Sequence, residues 1–312
     1  MDIGVIESIK YEYSEKRIRA QAVAEERRQE VAEAIPELRA IERETVRLTR
    51  MLVGAKEKAG EILERIEQLI KRQNELLLSA GYPENYLLPP YESSLCNDSR
   101  YVGTEPSACY LRRLRLKMLE HSGLGKLAES QSFENYSVEY YPADARANAL
   151  FALDTLKGFS ERFGRDSNEN FLLIGPTGLG KTHLSTSVAK KVIERGYDVV
   201  YTTVIRMFED FEKKRFSGNG NEFLHLTDRY FDAALLIIDD LGTEMSTQFT
   251  LTAFYDLINT RLNDGKCTII NTNLGVDALR SRYDDRITSR ILGNFNPLVF
   301  RGNDVRALKL KQ

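Results

Sequence analysis

The chain has 312 residues, 42% of them hydrophobic, and its net charge of −2 excludes a global basic field that would draw it to nucleic acid. No apolar run approaches the roughly 18–20 residues of a membrane span, and the N-terminal residues have neither a basic start nor a long apolar region. We therefore expect no membrane partner and no secretory signal. The three cysteines are widely spaced, which fits a reducing compartment, so the expected location is cytoplasmic.

The first predicted element is a long helical segment from about residue 15 to 80, through which an apolar seam with alternating three- and four-residue spacing runs. The seam consists of Leu38, Ile41, Thr45, Leu48, Leu52, Ala55, Ala59, Ile62, Ile66, Leu69, Gln73 and Leu76. It predicts a coiled coil or a long paired helix. Gly54 and Gly60 each cost about 1 kcal/mol relative to Ala, so a bend or hairpin near 54–60 stays open. An ordinary helical bundle and a docking arm for a partner or for self-association are both open interpretations.

Residues 81–110 interrupt the helical pattern with Gly and Pro, which predicts a linker or small irregular module. Cys96 and Cys109 lie within it, but neither belongs to a CxxC pair and no His is near, so zinc is not expected. A basic helix follows from Tyr110 to about Leu119, for which phosphate contact and an ordinary solvated face are both open.

From residue 143 onward, predicted helices alternate with predicted strands. The elements are helix 143–163, strand 171–174, helix 181–194, strand 198–203, helix 204–215, a loop at 217–221, helix 222–230, strand 235–239, helix 247–263, strand 267–272, helix 276–282, helical turns at 285–291 and strand 297–301. This alternation predicts an α/β fold with a parallel sheet flanked by helices. Cys267, inside a predicted strand, is expected to be a buried core thiol.

A phosphate-loop motif lies between the first predicted strand and its helix. The residues that fit G-x-x-x-x-G-K-[ST], with the His that follows, are Gly175, Pro176, Thr177, Gly178, Leu179, Gly180, Lys181, Thr182 and His183. Glycines let the backbone approach a triphosphate, and N–H groups at the helix N-terminus face the anion. Lys181 is expected to reach the β- and γ-phosphates, and the Thr182 hydroxyl to ligate Mg²⁺. The predicted cofactors are therefore ATP and Mg²⁺.

A second motif is the apolar run from Leu235 that ends in Asp239 and Asp240. Such a run suits a central parallel strand, whose carboxyl end lies at the ligand edge of the sheet. Asp239 is predicted to be the Mg²⁺-side acid and Asp240 the group that orients the attacking water. A strand followed by an acidic turn is the alternative, but the phosphate loop favours the nucleotide interpretation.

An aromatic and basic segment precedes this run. Its candidates for DNA contact are Phe208, Phe211, Lys213, Lys214, Arg215 and Phe216. Rings that stack on bases beside cations that meet phosphates are typical of single-stranded DNA sites. An amphipathic helix whose Phe side chains belong to the core is the alternative.

The phosphate loop, the stretch 236–244, Ile269–Leu274 and Asp285–Gly293 together resemble the bacterial DnaC/DnaI-type helicase loaders. These are AAA+ ATPases, and the transposition helper IstB is a close relative. The resemblance implies an AAA+ ATPase domain over 131–312.

Ahead of this domain, the predicted organisation is a helical partner-binding domain over 1–90 and a linker with a degenerate cysteine module over 91–130. Many relatives carry four metal-binding cysteines in that module. Ser93 and Ser107 stand here where the pattern has Cys, so zinc binding is not implied.

The resemblance also implies roles for single residues. Asn273 falls at the sensor-1 position, which reads the γ-phosphate or holds the attacking water. Arg290 matches the arginine finger that acts on the ATP of a neighbouring subunit, and Arg286 lies on the same helical face. Arg306 is the candidate for the sensor-2 arginine. Asp at position 240, where many AAA+ ATPases have Glu, implies slow, switch-like hydrolysis.

The function that the resemblance implies is ATP-dependent loading of a replicative DNA helicase onto single-stranded DNA, with ATP bound between subunits of an oligomer. The implied partners are the helicase, single-stranded DNA and further copies of the chain. One alternative is an IstB-like helper ATPase that binds DNA and stimulates a transposase. Another is a non-enzymatic scaffold, against which the intact Lys181, Thr182, Asp239 and Asp240 argue.

Overall fold

The structure, a computed structural model, describes residues 3–52, 59–216, 226–302 and 304–305. The chain divides into two compact units: a helical unit, Ser8–Tyr110, and a sheet unit, Leu111–Gln312 with Met1–Glu7. Three sequence predictions lie wholly or partly outside the described residues: the bend near 54–60, the loop and helix over 217–230, and Arg306. Among the described helices, none is both long and apolar enough to cross a membrane.

Helices and short strands make up the N-terminal part of the chain. The elements are α1 (Ile3–Ala34), α2 (Pro36–Leu52), α3 (Ala59–Ser79), β1 (Tyr101–Val102), β2 (Glu105–Pro106) and α4 (Ala108–His121). The rest are α5 (Leu127–Ser130), α6 (Ala143–Arg162), β3 (Phe171–Ile174), α7 (Lys181–Glu194), β4 (Val199–Thr203), α8 (Val204–Phe216), α9 (Asp228–Asp232), β5 (Leu235–Leu241), α10 (Gln248–Asn263), β6 (Cys267–Thr272), α11 (Val276–Arg282), α12 (Asp285–Asn294) and β7 (Asn296–Val299).

Helices α2 and α3 pack against each other in opposite directions, as two ion pairs show. Arg72 reaches Glu37 at 3.0 Å, and Arg65 reaches Glu44 at 3.2 Å. Between them lies an apolar core formed by Val31, Leu38, Ile41, Leu48, Ile62, Leu69 and Leu77. Five residues of the predicted seam are therefore buried between separate helices of this chain, and Leu52, Ile66 and Leu76 pack against them partly buried. One uninterrupted paired helix is not what forms.

The 81–110 region folds around a set of small polar side chains that we call the Ser/Cys cluster: Ser93, Cys96, Ser107 and Cys109. The Sγ atoms of Cys96 and Cys109 lie 3.2 Å apart. Ser93 Oγ is 3.3 Å from Cys96 Sγ, and Ser107 Oγ is 3.0 Å from Cys109 Sγ. No group of three or more His, Cys, Asp or Glu side chains in the described part of the chain is arranged to hold a metal ion.

The sheet unit contains a five-stranded sheet in the order β4-β5-β6-β3-β7, and every neighbouring pair is parallel. Helices flank it, so the predicted α/β class is confirmed. Strands β5, β6 and β3 are buried along most of their length because they lie inside the sheet, and Cys267 is fully buried as expected. Since all strands run the same way, the residues after β3, β5 and β6 meet at one edge.

The C-terminal elements differ from prediction in extent. Helix α12 continues to Asn294, beyond the predicted end at 291, and Asp284 caps its start by accepting the Ile287 N–H at 2.9 Å. Strand β7 occupies 296–299 and not 297–301. These shifts leave Arg286 and Arg290 on the same helix, as the sequence predicted.

Candidate nucleotide-binding site

The phosphate loop connects β3 to α7 at the carboxyl edge of the sheet. Gly178 has φ +81° and Gly180 has φ +73°, both in the left-handed region that only glycine adopts without strain. A Cβ at Gly180 would also lie 2.7 Å from the Tyr136 ring. The loop conformation therefore depends on these glycines, and it places helix α7 so that its N-terminus begins at Lys181.

Lys181 is buried beneath the loop, with 6% of its surface exposed. Its Nζ donates to the carbonyls of Gly175 and Pro176, at 2.5 and 2.8 Å, and to Oδ1 of Asn273 at 2.8 Å. Asn273 follows β6, 92 residues further along the chain. The structure therefore brings the predicted phosphate lysine and the predicted sensor asparagine into direct contact.

Asp239, at the end of β5, is the acceptor of what we call the carboxylate cluster: Asp239, Thr182, Tyr201 and Asn271. Its Oδ2 accepts the Thr182 hydroxyl at 3.0 Å and the Tyr201 phenol. Its Oδ1 accepts the Asn271 amide at 2.9 Å and the backbone N–H of Asp240 at 3.0 Å. Four donors thus meet the roughly four lone-pair positions of a carboxylate, so the orientation of Asp239 is fixed.

Asp240 differs from its neighbour in conformation and exposure. The φ angle of Asp240 is +57°. Its side chain is exposed and lines the same pocket as Lys181. A non-glycine residue in the left-handed region is strained, and such strain concentrates at functional sites. The turn that follows is held by Thr243, whose hydroxyl donates to the Asp240 carbonyl at 2.9 Å.

One wall of the pocket is made by the aromatic segment ahead of α6. Tyr141 donates from its hydroxyl to the Leu179 carbonyl at 2.6 Å, and the hydroxyls of Tyr136 and Tyr141 are 2.6 Å apart. Burial raises the pKa of both tyrosines, so both phenols keep their protons. His183 packs edge-on against Tyr136 and places Nε2 2.8 Å from the Ser132 carbonyl. His183 therefore contributes by fastening this wall.

The donor set fits Mg²⁺ with a nucleotide. The Thr182 hydroxyl and the Asp239 carboxylate offer the hard oxygen atoms that Mg²⁺ prefers. The glycine loop presents backbone to an anion, and the Lys181 ammonium lies at its base. We identify Thr182 and Asp239 as the residues that would hold the ion.

Arg290 and Arg286 do not line this pocket. The Arg290 guanidinium lies 4.4 Å from the ring centre of Tyr255, and its Nε donates to Asn259 Oδ1 at 2.7 Å. Arg286 is exposed one turn earlier on α12. Within one chain, therefore, neither arginine meets the phosphate loop.

The predicted DNA contacts need a correction. Phe208 and Phe211 are 4% and 7% exposed and belong to the core cluster of the sheet unit, so their rings are not available to a base. Lys213 lies 3.8 Å from Asp210, and Lys214 lies 3.1 Å from Asp228. By contrast, the Phe216 ring is 76% exposed.

Arg215 lies beside Phe216 at the end of α8, and its guanidinium is 4.4 Å from the Phe249 ring centre. Of the six candidates, Arg215 and Phe216 keep the pairing of cation and exposed ring that the DNA prediction requires.

Tyr201 and Asn271 were not predicted as site residues. Asn271 lies inside the stretch Ile269–Leu274 that carried the resemblance, so its position was available, although its contact with Asp239 was not. Tyr201 belongs to no motif and appears only as one residue of a predicted strand.

A family model described as IstB-like ATP binding protein matches residues 107–297. The uncharacterized protein YdaV of Escherichia coli K12 is 25% identical over 185 residues, which cover 59% of this chain and 71% of that protein. An ATP-binding protein in an insertion sequence of Mycobacterium tuberculosis is 26% identical over 172 residues, covering 55% of this chain and 61% of the relative. The crystal structure of the DnaC helicase loader aligns with a TM-score of 0.49 and 22% identity, covering 57% of this chain and all of that one. With the parallel sheet, the family match confirms the predicted AAA+ P-loop fold class.

Proposed function

The chain belongs to the IstB-like ATP-binding family, and on that premise we propose that it is an ATPase that loads a replicative DNA helicase onto single-stranded DNA. The observation that supports the nucleotide part of the proposal is the contact of Lys181 with Asn273 and of Thr182 with Asp239, which joins helix α7 to strand β5 and to the segment after β6 beside one pocket. A chain whose nucleotide site had lost its use would have no need to keep these side chains in mutual contact.

We propose a task for each of these side chains. Lys181 exchanges its carbonyl contacts for phosphate oxygens, and Asn273, already 2.8 Å from Lys181 Nζ, meets the same phosphate. The Thr182 hydroxyl donates a hydrogen bond to Asp239, so the lone pairs of the threonine oxygen remain available to the metal. Mg²⁺, when bound, neutralises phosphate charge. Asp240, exposed in the pocket, orients the attacking water.

Hydrolysis is completed by a second copy of the chain. Arg290, with Arg286 in support, serves the pocket of the neighbouring subunit, and an arginine supplied in trans stabilises charge on the transferred phosphoryl group. ATP binding therefore orders an oligomer, and hydrolysis or exchange releases it. Arg215 and Phe216 are the contacts for single-stranded DNA, and the protein acts in the cytoplasm.

The helical unit is the part that grips the helicase. Leu63 and Ile70 of α3 are 49% and 46% exposed although both are large and apolar. They are seven residues apart, two helical turns, and so lie on one face. Their neighbours Ile62 and Leu69 are buried against α2, which leaves this outer face for a partner.

The test is to mix the purified protein with the replicative helicase of its host and ATP, and to measure mass by size-exclusion light scattering. We expect a stoichiometric complex that the double change Leu63→Glu and Ile70→Glu abolishes. The control, Gln68→Glu with Ser79→Glu, adds the same charge at exposed polar positions of α3 and should leave the complex intact. No complex under any nucleotide condition would contradict the loader function.

A transposition helper is the second candidate function, because the family and the Mycobacterium tuberculosis relative are both named for insertion-sequence ATP-binding proteins. In this case the partner is a transposase, and the same mass measurement with a transposase of the host in place of the helicase distinguishes the two. A complex with the transposase alone would decide for the helper.

A further inference from the structure

We propose that Tyr201 is a positioning residue for the magnesium side of the site. Its phenol fixes the Asp239 carboxylate, and Asp239 in turn orients the Thr182 hydroxyl toward the metal. The inference rests on the proposed nucleotide function and deepens it by naming a residue outside every motif.

Tyr201 lies in β4, the strand beside β5 in the sheet. The register pairs Thr203 with Asp239 at the carboxyl end of both strands, and the Tyr201 phenol donates to Asp239 Oδ2. The Thr182 hydroxyl donates to the same oxygen atom at 3.0 Å. One carboxylate oxygen thus receives both the supporting tyrosine and the metal-side threonine.

The backbone of Tyr201 is held independently of its side chain. Its N–H donates to the Ser122 carbonyl at 2.6 Å, from the loop after α4. Gly123, with φ +84°, approaches so closely that a Cβ there would lie 2.3 Å from the Tyr201 carbonyl oxygen. The Ser122 carbonyl holds the backbone N–H of Tyr201, and Gly123 packs against its carbonyl. The phenol therefore reaches Asp239 from a fixed backbone position.

The chemistry of the pair favours this role. The Tyr201 phenol donates directly to the carboxylate oxygen Oδ2. A donor on Oδ2 stabilises the ionised carboxylate and prevents its rotation. Without the phenol, Oδ2 keeps only Thr182 as a donor, while Asn271 and the Asp240 N–H still hold Oδ1, so the oxygen that meets the threonine is the less firmly held of the two.

The experiment compares wild type with Tyr201→Phe and a matched control, Tyr230→Phe. Tyr230 of α9 donates from its phenol to Asp210 of α8 at 2.6 Å, and this buried pair of the same kind does not line the pocket. Calorimetry measures binding of a non-hydrolysable ATP analogue across a series of Mg²⁺ concentrations and in EDTA. Neither readout depends on turnover.

We expect the half-saturating Mg²⁺ concentration to rise about tenfold in Tyr201→Phe, the effect of losing one hydrogen bond to a charged group. Affinity in EDTA should stay within about twofold of wild type, and Tyr230→Phe should change neither value. An unchanged Mg²⁺ dependence in Tyr201→Phe, or an equal loss with and without Mg²⁺, would overturn the inference alone. A wild-type protein that binds no nucleotide would overturn the proposed function as well.

Discussion

The carboxylate cluster and the Ser/Cys cluster are both sets of converging polar side chains, one in each unit. In the first, donors surround a charged group, Asp239, beside the buried ammonium of Lys181. In the second, two hydroxyls and two thiols exchange weak hydrogen bonds at 3.0–3.4 Å. A charged acceptor with oriented donors can take up an ion, whereas small polar groups that satisfy one another fasten a fold. A set of converging polar side chains therefore does not by itself identify a ligand site. The presence of charged groups within the set does.

The largest effect is expected from removing the charge of the first cluster. Lys181→Ala should abolish ATP binding, because among the described residues no other Lys or Arg lines the pocket. Calorimetric titration with the non-hydrolysable analogue measures it. Lys191→Ala, at an exposed position of the same helix, is the control and should bind as wild type. Retained affinity in Lys181→Ala would show that the loop backbone alone holds the triphosphate.

The next effect separates binding from hydrolysis. Arg290→Ala should bind ATP normally but lose DNA-stimulated hydrolysis by a factor on the order of a thousand, since the arginine lies outside the pocket of its own chain and we propose that it acts in trans. Steady-state phosphate release measures the loss of hydrolysis. Arg280→Ala on α11 is the control and should hydrolyse ATP as the wild type does. Full activity in Arg290→Ala would mean that the carboxylate cluster is sufficient within one chain.

A gain of function tests the second cluster. Ser93→Cys with Ser107→Cys converts two weak ligands into thiolates around atoms that already converge, so we expect Co²⁺ or Zn²⁺ to bind at least about a hundredfold more tightly than in wild type. Visible absorption of the Co²⁺ form under reducing conditions shows tetrahedral thiolate coordination. Ser94→Cys with Ser99→Cys adds the same two thiols outside the cluster and should not produce this spectrum. If the Ser93→Cys, Ser107→Cys variant also lacks this spectrum, the absence of metal-binding charge is not what separates the Ser/Cys cluster from the carboxylate cluster.

The smallest effect is a pH dependence. Burial acts to raise the pKa of Cys109, but hydrogen bonds with Ser107, Ser93 and Cys96 outweigh it and bring that pKa to about 7. Burial raises the pKa of Cys267 to about 12.

Alkylation by iodoacetamide requires the thiolate, so the rate at Cys109 should rise with pH and level off above about pH 8, while Cys267 stays unmodified. Peptide mass mapping assigns the sites. Ser107→Ala should move the Cys109 curve to higher pH. If the alkylation rate of Cys109 still rises through pH 9, the pKa of its thiol is not lowered.

In the sheet unit, the elements that could be predicted are those whose structure is determined by residues close together in the sequence. The phosphate loop and the run ending in Asp239 carry their element types in their own residues. Tyr201 was not predictable, because its contact arises from the pairing of β4 with β5, and the register that pairs Thr203 with Asp239 leaves no trace in either strand alone. Asn271 was within reach only as part of a motif.

Two other predictions show where residue type misleads. Phe208 and Phe211 were chosen because aromatic rings accompany basic groups, yet with Val204 and Met207 they form one apolar face of α8, which is buried. Position on the helix decides, and residue type does not. The seam of the helical unit identified Leu38, Ile41 and others as buried, but the periodicity is the same for one long helix and for two packed ones. The roles of single site residues, Arg306 among them, stay predictions.

Gly123 has a consequence for how copies of the chain can associate. Strand β4 is at the edge of the sheet, and the Ser122 carbonyl takes one of its outward N–H groups while Gly123 covers the adjacent carbonyl. An edge covered in this way is closed to a further strand. Assembly by extending the sheet through β4 is therefore excluded at Tyr201, and an oligomer built from this chain must use another surface. Any side chain larger than hydrogen at position 123 would displace the loop and open the edge to unwanted strand pairing.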